Sequence, residues 1–204
     1  MMIKVCGMKD QHQVTALQPM VDFIGFIFYE KSPRYVETTV TVQGAKKVGV
    51  FVNASIDSVK EIIEANSLDF VQLHGSESPE YCETISDYAK VIKAFGIHSV
   101  DDFEQLSAYE NAVTYILFDT KTPDHGGSGR QFDWKILSKY TGQTPFILGG
   151  GINPEAVTQL SQIKHPKLIG LDLNSGFEIE PADKNIDQLK TFIHEIKNTA
   201  LYSA

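Results

Sequence analysis

The chain is 204 residues long, with 42% hydrophobic and 22% charged residues, a formal net charge of −8 and two cysteines. That length and balance suit one domain burying about 70% of the unfolded chain's surface, and they exclude disordered, collagen-like and disulfide-stapled classes. The acidic balance argues against nonspecific nucleic-acid binding and against an anionic membrane surface, both of which need a basic face. No apolar run approaches the roughly 18 residues of a membrane span, and Met1-Met2-Ile3-Lys4-Val5 does not read as a signal peptide. The expectation is a cytoplasmic chain with reduced thiols, one domain over 1–204.

Short apolar runs rich in Val, Ile, Leu and Phe stand at 2–6, 22–28, 47–52, 69–73, 90–94, 114–118, 145–148 and 168–171, each of strand length. Helix-capable segments separate them. The first, 11–17, is short; the next, 57–66, sets Val59, Ile62 and Ile63 on one face behind Ser55 or Asp57 as cap. Segment 79–88 opens with Pro79 behind Ser78, and 100–109 and 133–140 are similar in length. Segment 154–163 follows Asn153, and 186–196 aligns Leu189, Phe192, Ile193 and Ile196. The exception is 37–46, where Thr38-Thr39-Val40-Thr41-Val42 is β-branched and helix-poor and Gly44 follows.

Eight such alternations predict repeated βα units. Two architectures share that pattern, a closed (β/α)₈ (TIM) barrel with a short or irregular second helix, and a doubly wound open sheet. The first strand runs into Cys6-Gly7-Met8-Lys9 rather than Gly-x-Gly-x-x-Gly, which favours the barrel.

In a barrel the chemistry sits at the carboxyl ends of the strands. There stand Cys6, Gln72 with His74, Asp119, Gly149-Gly150-Gly151 and Asp172. Alternation puts Lys4 and Cys6 on one face of the first strand, so a lysine and a thiol line the interior if that face points inward. Each residue has a plain alternative. Cysteine is often inert packing, as expected of Cys82 in mid-helix; His74 could cap a turn before Gly75, and Asp119 could cap a loop. Their joint placement is what points to a site. Gly126-Gly127-Ser128-Gly129-Arg130 reads as a lid or a surface loop. Gly149-Gly150-Gly151-Ile152-Asn153-Pro154 and Asn174-Ser175-Gly176 follow the seventh and eighth strands, where barrels commonly hold a phosphate on backbone N–H groups. No Cys or His spacing suits zinc, and neither a nucleophile elbow nor a Walker A loop occurs. Neither a metal nor an organic cofactor is expected.

Taken in order, these motifs resemble the phosphoribosylanthranilate isomerase family of tryptophan biosynthesis over essentially the full chain. The matching stretches are Lys4-Val5-Cys6-Gly7-Met8-Lys9, Gly25-Phe26-Ile27-Phe28 with Ser32-Pro33-Arg34-Tyr35-Val36, and Val48-Gly49-Val50-Phe51-Val52-Asn53. They continue with Val71-Gln72-Leu73-His74-Gly75, Asp119-Thr120-Lys121 leading to Gly126-Gly127-Ser128-Gly129, the loop 149–154, and Asp172-Leu173-Asn174-Ser175-Gly176-Phe177-Glu178.

The resemblance implies an Amadori rearrangement of N-(5-phospho-β-D-ribosyl)anthranilate to 1-(2-carboxyphenylamino)-1-deoxyribulose 5-phosphate in a barrel without cofactor or metal. It implies Asp119 as general acid, Cys6 as general base, Arg34 on the anthranilate carboxylate, and Gly150, Gly151, Ser175 and Gly176 around the phosphate. Asp172 would contact sugar hydroxyls, and His74 would stand near the site as a substrate-binding residue. Asp119 must then keep its proton near neutral pH, which partial burial favours, and Lys4 should lower the Cys6 thiol. Two features depart from the family pattern, the short connection between the second and third strands and Asn174 where a serine is more usual. The alternatives are another phosphosugar isomerase or epimerase and a noncatalytic phosphoribosyl-binding barrel. The expected partner is a small phosphorylated substrate, with neither nucleic acid nor membrane, and the expected state is a monomer.

Overall fold

A computed structural model describes residues 1–120 and 132–199. Eight parallel strands close in sequence order into a barrel: β1 (Met2–Val5), β2 (Phe23–Ile27), β3 (Lys46–Phe51), β4 (Phe70–Leu73), β5 (Lys90–Ile97), β6 (Tyr115–Thr120), β7 (Phe146–Leu148) and β8 (Leu168–Leu173). Closure is carried by β8 on β1, where Met2 faces Gly170 and Val5 faces Leu173. That pairing rules out the open sheet and bears out the (β/α)₈ barrel.

Inside, Phe23, Val48, Phe70, Ile92, Ala94, Leu117 and Ile147 form one buried cluster. Phe23 and Phe70 meet edge to face at 5.1 Å. Each large side chain buried there contributes about 1.5–3 kcal/mol, and the filled layer makes the barrel a solid floor rather than a pore. Two residues further along the strands the same inward face carries Lys4, Val50 and Gln72, all buried. The floor therefore gives way to a polar layer at the carboxyl end.

The outer layer is uneven. Helix α1 (Gln11–Leu17) is capped by Asp10, α2 (Ile56–Asn66) by Ser55, and α3 (Pro79–Ser86) by Ser78 with Pro79 in its first turn. Helix α4 (Val157–Ser161) is a single turn and a half behind the 3₁₀ turn Pro154–Ala156, and α5 (Ile186–Asn198) buries the four apolar residues expected. Two segments expected as α-helix are 3₁₀ instead, Val100–Tyr109 and Trp134–Lys139. Their anchors explain it. Phe103, Leu106 and Tyr109 pack inward, as do Trp134, Leu137 and Tyr140, every third residue in both. A repeat of three suits 3.0 residues per turn rather than 3.6.

Between β2 and β3 no helix forms. Residues 37–45 form neither helix nor strand, with Val40 and Val42 packed on the core, and neighbouring helices complete the backbone. Gln11 exchanges two hydrogen bonds with Thr41, its Oε1 accepting from Thr41 N and its Nε2 donating to Thr41 O, both at 2.9 Å. Gln18 Oε1 accepts from Gln43 N at 2.8 Å. Asn66 Oδ1 accepts from Thr39 N at 2.8 Å and Thr38 Oγ1 at 3.0 Å. Side-chain amides thus replace the bonds that a helix would have made internally. After β8 comes a feature the sequence did not suggest, a 3₁₀ turn (Ser175–Phe177) and a small antiparallel hairpin, β9 (Glu178–Glu180) with β10 (Asp183–Lys184). No helix among the described residues is long and apolar enough to cross a membrane.

Candidate active site

The carboxyl-end mouth is built from the last residues of the strands. Cys6 continues β1, its N–H donating to Leu173 O at 2.9 Å, and it is buried. Gly25 on β2 makes its room: a Cβ there would lie 2.8 Å from Cys6 Sγ. Lys4, inward and fully buried, reaches Asp172 Oδ1 at 2.9 Å across the β1–β8 register that pairs the two residues. Burial works to lower the Lys4 ammonium, but Asp172 and Cys6 outweigh it and hold it above its ordinary value. Burial pushes the Cys6 thiol up, and Lys4 opposes that without reversing it. The expected direction of the lysine's influence is right; its expected net result is not, because a thiolate in a closed interior loses more solvation than one neighbouring cation returns.

Across the mouth, Asp119 Oδ1 accepts from Thr120 N at 2.7 Å and Oδ2 lies 3.3 Å from His74 Nε2. The other ring nitrogen of His74 is 3.2 Å from Gln72 Nε2. His74 is therefore the neighbour of the carboxylate rather than a turn cap. The end of β4 is held from behind by a buried pair outside the mouth. Lys93 Nζ donates to Gly75 O at 2.8 Å and Leu73 O at 3.2 Å and lies 3.2 Å from Glu77 Oε2. Glu77 in turn accepts from Asn53 N and Gly75 N.

Gly150 and Gly151 both have φ near +74°, the left-handed region that favours glycine. A Cβ at Gly150 would run into Thr120 and lie 2.8 Å from Asp119 Oδ1. One at Gly176 would collide with Ile152 O and come within 3.1 Å of Asn153 Cα. The loops after β7 and β8 are thus pressed together beside Asp119, and Ser175 opens the turn between them. The structure brings Gly150, Gly151, Ser175, Gly176, Asp172, Cys6, Asp119 and His74 to one end of the barrel. Gly126-Gly127-Ser128-Gly129-Arg130 lies outside the described residues.

Arg34 comes from the β2–β3 connection and lies over Gly7, where a Cβ would be 2.6 Å from Arg34 Cδ. Its guanidinium is taken side-on by Glu178: Nε donates to Oε1 at 2.9 Å and to Oε2 at 3.1 Å, and Nη2 to Oε2 at 2.5 Å. Lys184 Nζ donates to Glu178 Oε1 at 2.6 Å and to Asn174 Oδ1 at 2.7 Å. Asn174 thereby gains a definite use, as an acceptor for a buried ammonium. Glu178 and Lys184 were not found from sequence. The available signals were the place of Glu178 at the end of the matching stretch 172–178 and the long Arg34 side chain, which needs a fixed carboxylate to hold its direction. Cys82 is buried in α3, and burial pushes its thiol up to about 12, as befits packing.

A thiol and a carboxylate stand across the barrel mouth from one another, with the glycine loops pressed together between them. The closed barrel and this set of strand-end residues place the chain in the (β/α)₈ class.

Comparison with known proteins narrows this. The family model described as N-(5'phosphoribosyl)anthranilate (PRA) isomerase matches residues 3–195. An N-(5'-phosphoribosyl)anthranilate isomerase of Parabacteroides distasonis is 49% identical, covering 98% of this chain and 96% of its own. Among solved structures, phosphoribosyl anthranilate isomerase from Thermus thermophilus is similar at a TM-score of 0.84 and 25% identity, over 97% of this chain and 98% of that one. A phosphoribosyl anthranilate isomerase in complex with reduced 1-(o-carboxyphenylamino)-1-deoxyribulose 5-phosphate is similar at 0.82 and 31%, over 96% and 98%. The chain belongs to the phosphoribosylanthranilate isomerase family, and is an isomerase of tryptophan biosynthesis.

Proposed function

We propose that Asp119 and Cys6 together carry the Amadori rearrangement of N-(5-phospho-β-D-ribosyl)anthranilate to 1-(2-carboxyphenylamino)-1-deoxyribulose 5-phosphate. Asp119 gives its proton to the furanose ring oxygen as the C1′–O bond breaks, and the nitrogen lone pair closes the Schiff base. Cys6, in the thiolate form that Lys4 favours against the cost of burial, takes the C2′ proton; the electron pair moves into C1′–C2′ and nitrogen regains its own, leaving an enolamine that ketonises. The observation that carries this reading is the placement of Cys6 and Asp119 on β1 and β6, around one mouth. An acid and a base for neighbouring atoms of one sugar must approach from different sides.

The hydrogen bond that Asp119 accepts from Thr120 N–H, and the His74 ring 3.3 Å away, suit the carboxylate left after its proton has gone. Arg34 takes the anthranilate carboxylate, the paired loops with Gly150, Gly151, Ser175 and Gly176 take the phosphate, and Asp172 takes sugar hydroxyls, with Lys4 fixing its direction. The cytoplasm is the compartment that suits a biosynthetic enzyme with two free thiols.

The test is loss of substrate fluorescence on adding purified protein, with Cys6→Ala and Asp119→Asn beside it. Both variants are expected to lose about 10²–10⁴ in turnover with little change in ligand affinity. Near-normal turnover in either removes that residue from the mechanism.

A further inference from the structure

The cluster Arg34–Glu178–Lys184 leaves two features unexplained by the reaction itself. A lysine is fully withdrawn from solvent on a hairpin outside the barrel, and the arginine assigned to a substrate carboxylate is already bound to a carboxylate of the protein. The side chains of Arg34, Glu178 and Lys184 are 11%, 5% and 0% exposed, so the arrangement is a built one rather than a surface pairing.

We propose that the β9–β10 hairpin is an arginine holder, in which Glu178 and Lys184 are positioning residues that fix which edge of Arg34 meets the substrate's aromatic carboxylate. The inference rests on the assignment of Arg34 to that carboxylate. A guanidinium has five N–H donors in a rigid plane. Glu178 takes the side-on edge, Nε and one hydrogen of Nη2. The end-on edge, Nη1 with the second hydrogen of Nη2, has the spacing for a second carboxylate bound by two parallel hydrogen bonds. Arg34 hangs on a connection without a helix, so its many rotors would otherwise be free to scatter that edge.

Charge explains Lys184. A neutral Arg34–Glu178 pair would present an incoming carboxylate with a neighbouring negative charge. With Lys184 on Oε1 of Glu178, the oxygen shared with Arg34 Nε, the cluster sums to one net positive charge, and Asn174 Oδ1 and the Glu178 carboxylate together hold the ammonium in place. The hairpin makes this possible by curling back: Ala182 takes a left-handed φ of 72°, and its N–H donates to Glu178 Oε1 at 3.1 Å.

The experiment compares kcat/KM for the anthranilate-bearing substrate with that for the aniline analogue lacking the carboxylate, in wild type, Arg34→Ala, Glu178→Gln and Lys184→Met. Arg34→Ala is expected to abolish the preference for the carboxylate-bearing substrate. Glu178→Gln and Lys184→Met are expected to cost that substrate at least about tenfold more than they cost the analogue, the effect of one charge-assisted hydrogen bond, mainly through KM. Equal losses on both substrates, or an unchanged preference, in the soluble Glu178→Gln protein would overturn the proposal while leaving Arg34 in its place. A preference that survives Arg34→Ala removes the carboxylate assignment and the holder with it. Should Lys184→Met not fold, Glu178→Gln, a near-isosteric change, decides alone.

Discussion

Gly150→Ala and Gly44→Ala make a matched pair of perturbations. Both glycines have left-handed backbones, with φ of +74° and +82°. A Cβ at Gly44 meets nothing within 4 Å, whereas one at Gly150 would run into Thr120 N and Oγ1 and lie 2.8 Å from Asp119 Oδ1. The backbone penalty is shared, about 1–2 kcal/mol for an L-residue forced left-handed. For a chain of this size that lowers the melting temperature by about 2–8 °C in either variant. Only Gly150→Ala adds a collision, and the atoms it strikes are Thr120 N and Oγ1 and the carboxylate proposed as the acid, so the β6 end must shift. A displacement near 1 Å at a reacting group costs about 10² in turnover. Thermal unfolding and steady-state turnover should therefore separate the two: Gly44→Ala loses stability and keeps its kcat, and Gly150→Ala loses at least as much stability and about 10² in kcat. A Gly150→Ala enzyme within threefold of wild type would refute the claim that this glycine sets the position of Asp119.

The remaining predictions concern what holds the mouth in place. Asn66→Ala removes the acceptor for Thr38 Oγ1 and Thr39 N and the donor to Ile62 O, and should cost about 1–3 kcal/mol in urea unfolding with turnover retained. Lys93→Met leaves Glu77 buried without its ammonium and should cost about 3–5 kcal/mol, much of it restored by adding Glu77→Gln. Burial works to raise the Glu178 carboxyl, but Arg34 and Lys184 overcome it and hold it below the usual range. A group whose folded value is depressed stabilises the fold above its unfolded value and loses that contribution as the pH falls through the folded one. Acid titration of unfolding stability should show this loss in wild type, and Glu178→Gln should lack that part of the acid dependence.

How far the chain could be read in advance follows from which signals were local. The eight strands were legible because each is a compact β-rich run, and the inward lysine and thiol followed from alternation along β1. The α-helical assignment of Val100–Tyr109 and Trp134–Lys139 failed although the deciding evidence was in the residues: Phe103, Leu106 and Tyr109, like Trp134, Leu137 and Tyr140, recur at three, not at three and four. The loop at 37–45 was anticipated as a poor helix, but its support comes from Gln11, Gln18 and Asn66 on two other elements. No reading of the loop alone reveals partners so distant in the chain. Glu178 closed the matching stretch 172–178 without a role, and Lys184 was invisible, since a Lys in a short polar hairpin looks solvated until the fold buries it.

The β2–β3 connection and the β9–β10 hairpin also belong together. The β2–β3 connection carries Arg34, and the β8–α5 connection carries the hairpin; β2 and β8 are the two neighbours of β1. The connections therefore meet across the end of β1, above Gly7, whose left-handed backbone and missing side chain leave space for Arg34. Across the mouth, the chain around His74 at the end of β4 is held by the hydrogen bonds of Lys93 and Glu77, and Asp119 accepts from Thr120 N. In the proposed reading this division matches the substrate. Its aromatic carboxylate requires a long side chain delivered from outside, whereas its sugar requires an acid and a base fixed to strands, and Cys6 sits on β1 between the two regions.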